Sequence, residues 1–333
     1  MRITTEILLK IAQDTVANRA ASDHSILAAY LQGSLLSESP LLGNTTDIDL
    51  FLVHSSEPAM LREIVRLTDE VHLDISHHTH QMYRQPRSLR LHPWLGPAVY
   101  GCKILYDPQH FMDFAQASVR AQYHQADNVL ARARQQAEHA RQIWMDFSPH
   151  GPPAGLAEAS NYLRALEHAA NAVASLSGPL LAERRFLLEF PARAEAVRHP
   201  GLVAGLLGLL GGPTVDAGTL RGWLTEWQAA YTAIPAEEAP TRLAACRLLY
   251  YQRGIAALVE SEHPTNALWP LWRTWTHCIA ALSASAAPRG AWQAAGEHLG
   301  LLGDGFASRV PALDAYLDQI EEILEAWGRA NGA

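Results

Sequence analysis

Short apolar runs alternate with polar segments over the first hundred positions of the chain. Four of these runs have the length and apolar character of β-strands, and glycine-containing or polar segments bound them. They cover residues 26–31, 47–53, 71–76 and 103–106. Ahead of them, apolar residues recur at helical spacing over residues 4–19, which predicts a helix. We therefore expect an α/β (α+β) N-terminal domain, residues 1–108, built on a mixed sheet flanked by helices.

The segment between the second and third predicted strands carries helix-start signals. Ser55 and Ser56 offer an N-cap, Glu57 is an acidic first-turn residue, and Pro58 suits the first helical position. These signals predict a helix that runs to about Glu70. The order strand, helix, strand in turn predicts a crossover unit within the sheet.

The composition changes after residue 108 and becomes helical throughout. Residues 109–147 are rich in Ala, Gln and charged side chains, which predicts one long connecting helix. Residues 148–155 read SPHGPPAG and are the best candidate for a linker. Residues 156–333 predict an all-α C-terminal helical bundle. Its helices are expected at 156–177, 179–190, 192–210, 216–232, 239–260, 264–285, 289–300 and 310–329.

The composition of the 333 residues narrows the class of protein. Hydrophobic residues make up 48% and charged residues 18%, which is typical of a globular protein with a sizeable core. No run of 18 apolar residues and no signal-peptide pattern are present, so we expect no membrane partner. Three cysteines, far apart and odd in number, fit a reducing cytoplasm. A net charge of −8 argues against a nucleic-acid partner.

Two carboxylates and a Gly-Ser pair lie in one stretch of the sequence. Side chains alternate faces along a strand, so Asp47 and Asp49 point the same way while Ile48 faces a core. Two neighbouring carboxylates are tolerated when a divalent cation binds between them, and their oxygens suit Mg²⁺. Gly33 allows a phosphate to approach the backbone, and Ser34 adds a hydroxyl to the backbone N–H groups that hold it. The stretch therefore predicts a nucleotide-handling site.

The order of these residues resembles the signature of the DNA polymerase β-like nucleotidyltransferase superfamily. Gly33-Ser34 follows a hydrophobic run, and twelve residues separate it from Asp47-Ile48-Asp49-Leu50 on a strand. The signature places a third carboxylate on a later strand, and Asp74 fits that place. The run over residues 103–108 is similar to the strand and turn that close the catalytic domain in small-molecule and antitoxin-type members. The resemblance covers residues 20–110.

This resemblance implies a Mg²⁺-dependent nucleotidyltransferase. Asp47, Asp49 and Asp74 would be its catalytic and metal-binding residues, with Asp74 ligating a second ion or acting as general base. Gly33 and Ser34 would bind the nucleotide phosphates. The donor would be a nucleoside triphosphate, with ATP expected, and the acceptor a hydroxyl of a small molecule such as an aminoglycoside-like antibiotic. A catalytic domain followed by a helical bundle is the arrangement of antibiotic-modifying members.

Two other functions stay open on the sequence. The same chemistry could act on a macromolecule, adding AMP to a protein or nucleotides to an RNA. Alternatively, the fold could serve as a non-catalytic, antitoxin-like interaction module, although the presence of all three carboxylates argues against this.

The segment over residues 77–101 is rich in histidine and arginine. It holds His77, His78, His80 and His92 together with Arg84, Arg87 and Arg90. A histidine metal site is one interpretation. No paired histidine spacing with a carboxylate occurs, however, which favours a solvated connector beside the site. The arginines are candidates for contacts with the triphosphate.

Overall fold

The computed structural model describes residues 3–147 and 154–333. The chain divides into two compact units, Met1–His124 and Gln125–Ala333. The proposed linker over residues 148–155 lies, except for its last two residues, outside the described residues. The boundary between the compact units falls instead at the break between two helices, as described below.

The first unit contains five strands and four helices. The strands are β1 Ile26–Gln32, β2 Thr46–His54, β3 Arg62–Arg66, β4 Val71–Thr79 and β5 Lys103–Tyr106. The helices are α1 Thr5–Ser22, α2 Pro86–Leu89, α3 Leu95–Gly101 and α4 Phe111–Arg120. The strand order is β3-β4-β2-β1-β5. Because β2 and β4 are parallel while the other neighbours are antiparallel, the sheet is mixed, as predicted.

The helix predicted between the second and third predicted strands, from Ser55 to about Glu70, is wrong. Residues 55–61 contain no helix, and β3 follows them as an edge strand antiparallel to β4. Ile64 and Val65 are β-branched and suit a pleated surface. The hydroxyl of Thr68 accepts hydrogen bonds from the backbone N–H groups of Glu70 and Val71 and so closes the turn. A full ladder with β4 outweighs N-cap signals, which stabilise a helix by only about 1 kcal/mol.

Each face of the sheet has its own core. On one face, called here the α1 face, Leu8, Ala12 and Val16 of α1 pack against apolar strand residues such as Ile48 and Leu73. On the other, called the α4 face, Tyr30 packs with residues of α3 and α4, including Val99, Met112 and Val119. The alternation of side chains along β2 therefore divides its residues between two cores.

The predicted single helix over residues 109–147 is also wrong, because the chain forms two helices there. α4 ends at Arg120, and α5 spans Ala126–Met145. Between them Tyr123 stacks on Tyr100, with ring centroids 4.2 Å apart. His124 adds a hydrogen bond of 2.8 Å between its Nε2 and the Tyr100 hydroxyl. Tyr123 and His124 thus contact Tyr100 of α3, in the segment where the helix is interrupted between α4 and α5.

The second unit is helical, as predicted. The predicted limits 179–190 and 192–210 are wrong, however, because one helix runs through Pro191 over Phe186–Ala196. After α5 the second unit contains α6 Leu156–Ala174, α7 Phe186–Ala196, α8 Gly201–Leu209, α9 Ala217–Thr232, α10 Leu248–Val259, α11 Leu268–Ala281, α12 Arg289–His298 and α13 Arg309–Asn331. α11 lies at its centre, where Trp269, Trp272 and Trp275 are fully buried. Trp269 stacks on Phe186 with centroids 4.0 Å apart. Among the described helices, none combines the length and the apolar character that crossing a membrane requires.

Candidate metal centre

Three carboxylates converge on the α4 face of the sheet. The parallel register of β2 and β4 places Asp49 opposite Asp74, and Asp47 two residues before Asp49 shares its face. One carboxylate oxygen from each of the three lies within 4.8 Å of the others. The structure therefore brings together Asp47, Asp49 and Asp74, which the sequence analysis selected from two separate strands.

The three carboxylates repel one another when ionised. Asp47 and Asp74 are buried, with 8% and 4% of their surface exposed, and Asp49 is half-buried. At a separation near 5 Å and an effective dielectric constant of about 20, each pair of charges repels by roughly 3 kcal/mol. A site of this kind needs positive charge close by.

Arg62 supplies one positive charge to this centre. Its Nε donates to Asp74 Oδ1 at 2.7 Å, and its second guanidinium nitrogen donates to Oδ2 at 2.5 Å. This bidentate geometry is the strong form of a guanidinium–carboxylate pair. Together the three carboxylates and the guanidinium carry a net charge of −2, which one divalent cation balances.

Arg62 is not among the site residues predicted from the sequence, because its segment was predicted to form a helix. Arg62 lies on β3, where Ile64 pairs with Asp74, so it shares the face of that carboxylate. The signal that could have revealed it is the β-branched pair Ile64-Val65 ahead of the Thr68 turn, a hairpin pattern.

Gly33 lies directly against the carboxylate of Asp49. Its φ of +85° belongs to the region that side chains rarely adopt. A Cβ at this position would stand 1.9 Å from Oδ2 and 2.8 Å from Cγ of Asp49. Only glycine fits, because both the conformation and the space exclude a side chain. The predicted proximity of the Gly-Ser turn to the carboxylates is thus a feature of the structure.

Ser34 follows this turn and begins a short 3₁₀ helix over Ser34–Leu36. Its Oγ lies 3.3 Å from the hydroxyl oxygen of Thr46, the residue immediately before Asp47. The hydroxyl of Ser34 thus lies beside the start of β2. Thr46 is buried and was not selected from the sequence.

Gln32 adds a further oxygen on the same face. It pairs with Asp49 across β1 and β2, and directly opposed residues of antiparallel strands share a face. Its Oε1 is buried and has no hydrogen-bond partner among the described residues. Carboxylate and amide oxygens are hard ligands, the set that suits Mg²⁺ better than a softer metal. The residues present therefore fit a hard divalent cation.

The histidines of residues 77–101 make separate contacts. His78 Nδ1 lies 2.6 Å from the Tyr83 hydroxyl, and His92 Nδ1 accepts from the backbone N–H of Leu95 at 3.1 Å. Across the described ranges 3–147 and 154–333, the aspartate triad is the only cluster of three or more His, Cys, Asp or Glu side chains close enough to share an ion. Arg90 is held by the carbonyl of Ser118 on α4.

Comparison of the chain with protein-family models finds no match, and a search of curated proteins finds no relative.

Proposed function

We propose that the protein is a Mg²⁺-dependent nucleotidyltransferase that transfers a nucleoside monophosphate from a nucleoside triphosphate to an acceptor hydroxyl. The observation that carries this proposal is the convergence of Asp47, Asp49 and Asp74 within 4.8 Å, beside the turn at Gly33. Oxygen-only donors next to a backbone that a phosphate can approach closely are what a metal–triphosphate complex requires.

In this proposal, Asp47 and Asp49 hold the cation, and Asp74 either ligates a second one or accepts the proton of the acceptor hydroxyl. Mg²⁺, when bound, neutralises charge that develops on the phosphates during an in-line displacement. Gly33 lets the backbone of the turn lie directly against the Asp49 carboxylate, and the hydroxyl of Ser34 donates to the phosphates. Gln32 adds its buried amide oxygen to the same face.

ATP is the proposed donor and a small hydroxylated molecule is the proposed acceptor. The net charge of −8 supports a cationic small molecule, such as an amino sugar, over a polyanionic nucleic acid.

The experiment uses each α-labelled nucleoside triphosphate in turn, with Mg²⁺ and a panel of acceptors that includes amino sugars, a protein mixture and RNA. We expect label on a small molecule and pyrophosphate release. Asp47→Asn and Asp49→Asn should each reduce the rate by at least 100-fold, because the shape is kept and the charge is lost. Asp69→Asn, an exposed acid that pairs with Arg66 in the β3–β4 turn, is the matched control and should leave the rate unchanged.

Pyrophosphate release at the wild-type rate in both variants would show that Asp47 and Asp49 do not take part in the reaction. Label on the protein mixture or on RNA would show that the acceptor is a macromolecule and not a small molecule. The proposed nucleotidyl transfer would be unaffected by this result.

One observation favours a second candidate, a non-catalytic interaction module. Both oxygens of Asp74 already accept hydrogen bonds from Arg62, as in a fold that needs no cation at this place. This candidate predicts that neither Mn²⁺ nor a metal–nucleotide complex binds the wild-type protein, which calorimetry measures directly.

A further inference from the structure

A chain of hydrogen bonds lies on the α1 face, opposite the carboxylates. His54 Nε2 lies 2.9 Å from His77 Nδ1, and His54 Nδ1 lies 2.9 Å from Ser25 Oγ. At the other end, His77 Nε2 lies 3.3 Å from Glu63 Oε1. Both imidazoles are more than nine-tenths buried. Ser25 lies in the turn immediately before β1, His54 ends β2, and His77 and Glu63 lie on β4 and β3.

The proton positions in this chain follow from one fixed end. Glu63 is ion-paired with Arg19 of α1 at 3.0 Å, so its carboxylate accepts a hydrogen bond. His77 must then carry its proton on Nε2, which leaves Nδ1 to accept the Nε2–H of His54. Nδ1 of His54 is consequently the bare nitrogen, and it accepts the hydroxyl proton of Ser25. In the neutral pair of rings this assignment gives each hydrogen bond of the chain a donor and an acceptor. The Asp23 carboxylate also accepts hydrogen bonds from the side chain of Ser25 and from its backbone N–H, the latter at 2.9 Å, and these lower the pKa of Asp23.

The ends of this chain open into a pocket of about 260 Å³. Ser25, His54, His77 and Glu63 all line it, together with Arg19, Asp23 and residues 57–60. Pockets for drug-sized ligands begin at about 300 Å³, so this pocket has room for a small molecule only.

We propose that Ser25 is the nucleophile of a second site, which cleaves small carboxylic esters, with His54 as its general base. His77 and Glu63 are positioning residues that hold the base in the tautomer with a bare Nδ1. A serine hydroxyl directed at a bare imidazole nitrogen, with the ring oriented by a further acceptor, is the arrangement of an activated nucleophile. The site shares no residue with the carboxylate centre and does not depend on its function.

The reaction has two balanced steps. Ser25 Oγ bonds to the ester carbonyl carbon while its proton passes to His54 Nδ1, and the ester C–O bond breaks as that proton passes to the leaving alkoxide. Water then attacks the acyl group, gives one proton to His54 Nδ1, and releases the carboxylic acid as Ser25 regains its hydrogen. Alcohol and acid are the products, and no further reactant is needed.

The surroundings of His54 support its part as a base. Burial first, and then the neighbouring His77, lower the pKa of His54, which keeps the ring neutral near neutral pH. Asp23 lies 3.7 Å from Nδ1, where it stabilises the imidazolium that forms after proton transfer. Glu63 acts in the same sense from the opposite end of the chain.

The experiment treats the full chain with a small fluorophosphonate, which phosphonylates activated serines with loss of fluoride, and locates the adduct by mass spectrometry. We expect an adduct on Ser25 of the wild-type protein and release of p-nitrophenolate from p-nitrophenyl acetate. His54→Gln should lower the labelling rate about 100-fold, the smaller end of the range for general-base catalysis. Ser22→Ala, which removes an exposed hydroxyl at the end of α1, is the matched control and should leave labelling unchanged.

The absence of an adduct on Ser25 of the wild-type protein would overturn the proposal. This result does not depend on whether any variant folds. Ester cleavage that continues at the wild-type rate in Ser25→Ala overturns it equally. Asp47→Asn should label normally, since the carboxylate centre lies on the other face.

The pH profile of labelling tests the positioning role of Glu63, because structural damage alone would lower the rate without moving the profile. The charged groups near His54 are Asp23 and Glu57 in loops, Glu63 on β3 and Arg19 on α1, with His77 as the neighbouring titratable ring. Glu63→Gln removes the negative charge that stabilises the imidazolium but keeps an amide oxygen that accepts from His77, so the pH profile of labelling should move to lower pH. An unchanged profile would mean that the charge of Glu63 does not act on His54 and would overturn its part in the site.

Discussion

Arg62 and Asp74 form a two-point ion pair within the carboxylate centre, with donor–acceptor distances of 2.7 Å and 2.5 Å. Asp74 is 4% exposed, whereas the Arg62 side chain is 38% exposed. A cation that ligates Asp74 must therefore compete with a guanidinium that can reach solvent. If the centre binds a metal ion, as proposed, Arg62 is therefore the residue that competes with it for Asp74.

Removing this competitor should strengthen metal binding. We expect Arg62→Met to raise the affinity for Mn²⁺ by about tenfold, equivalent to about 1.4 kcal/mol, because two oxygens are released and one positive charge is lost. Isothermal titration calorimetry measures the change. Arg66→Met is the matched control, since Arg66 lies on the same face of β3 but pairs with Asp69. Equal affinities in the two variants would mean that Asp74 does not ligate the ion.

Gly33 should tolerate no side chain. Gly33→Ala places a Cβ 1.9 Å from Asp49 Oδ2 in a backbone with φ of +85°, so the turn or the carboxylate must move. We expect a loss of about 1–3 kcal/mol in stability, together with loss of Mn²⁺ binding. Chemical denaturation and calorimetry measure the two effects. Gly101→Ala, with no atom within 4 Å of its Cβ, should change neither quantity.

Within the second unit, Arg141 joins α5 to α13 through three carboxylates. It contacts Asp314 at 2.5 Å, Asp318 at 2.6 Å and Glu321 at 2.9 Å, and its side chain is 15% exposed. Three charge-assisted contacts held by one residue are worth more than a surface pair. We expect Arg141→Gln to lower the free energy of unfolding by about 1–3 kcal/mol.

Urea denaturation checks this effect on the second unit. Arg329→Gln breaks an exposed pair with Glu325 on the same helix and should change stability by less than about 0.5 kcal/mol. Similar losses in the two variants would show that the three-carboxylate contact contributes no more than a surface pair.

Acid should destabilise the sheet through His78. Burial, followed by the proximity of His77, lowers the pKa of His78 from 6.5 to about 4. The unfolded chain therefore binds a proton at this residue before the folded chain does. Stability is complete above about pH 6.5, falls between about pH 6.5 and 4, and then levels off as far as this group is concerned.

Hydrogen exchange of the β2 and β4 amides at pH 7.5, 6.0 and 5.0 measures this loss. His78→Gln keeps an acceptor for the Tyr83 hydroxyl but does not titrate, so its exchange should depend less on pH. His263→Gln removes an exposed histidine in the second unit and should retain the wild-type dependence. Identical pH dependence in all three proteins would contradict the effect.

The local pattern predicted the strands that carry the centre. Alternation placed Asp47 and Asp49 on one face, and the structure confirms that β2 runs from Thr46 to His54. Helical spacing likewise predicted the all-helical second unit. These features were accessible because burial of one face imposes a period on the sequence, whatever the partner element is.

Pairing and register were decided only by the tertiary structure. Residues 55–70 carry helix-start signals, yet an antiparallel ladder with β4 forms there and delivers Arg62 to Asp74. The Ser25–His54–His77–Glu63 chain likewise joins residues whose positions in the sequence have no common period.

The amino-acid sequence by itself determined which residues face a core and that Asp47 and Asp49 share a side of one strand. The tertiary structure decided that Asp74 stands opposite Asp49, that Arg62 binds it, and that a serine meets a histidine on the other face. The physical reason is that periodicity reports burial along one element. Contacts between elements depend on long-range pairing, whose free energy the local signals do not contain.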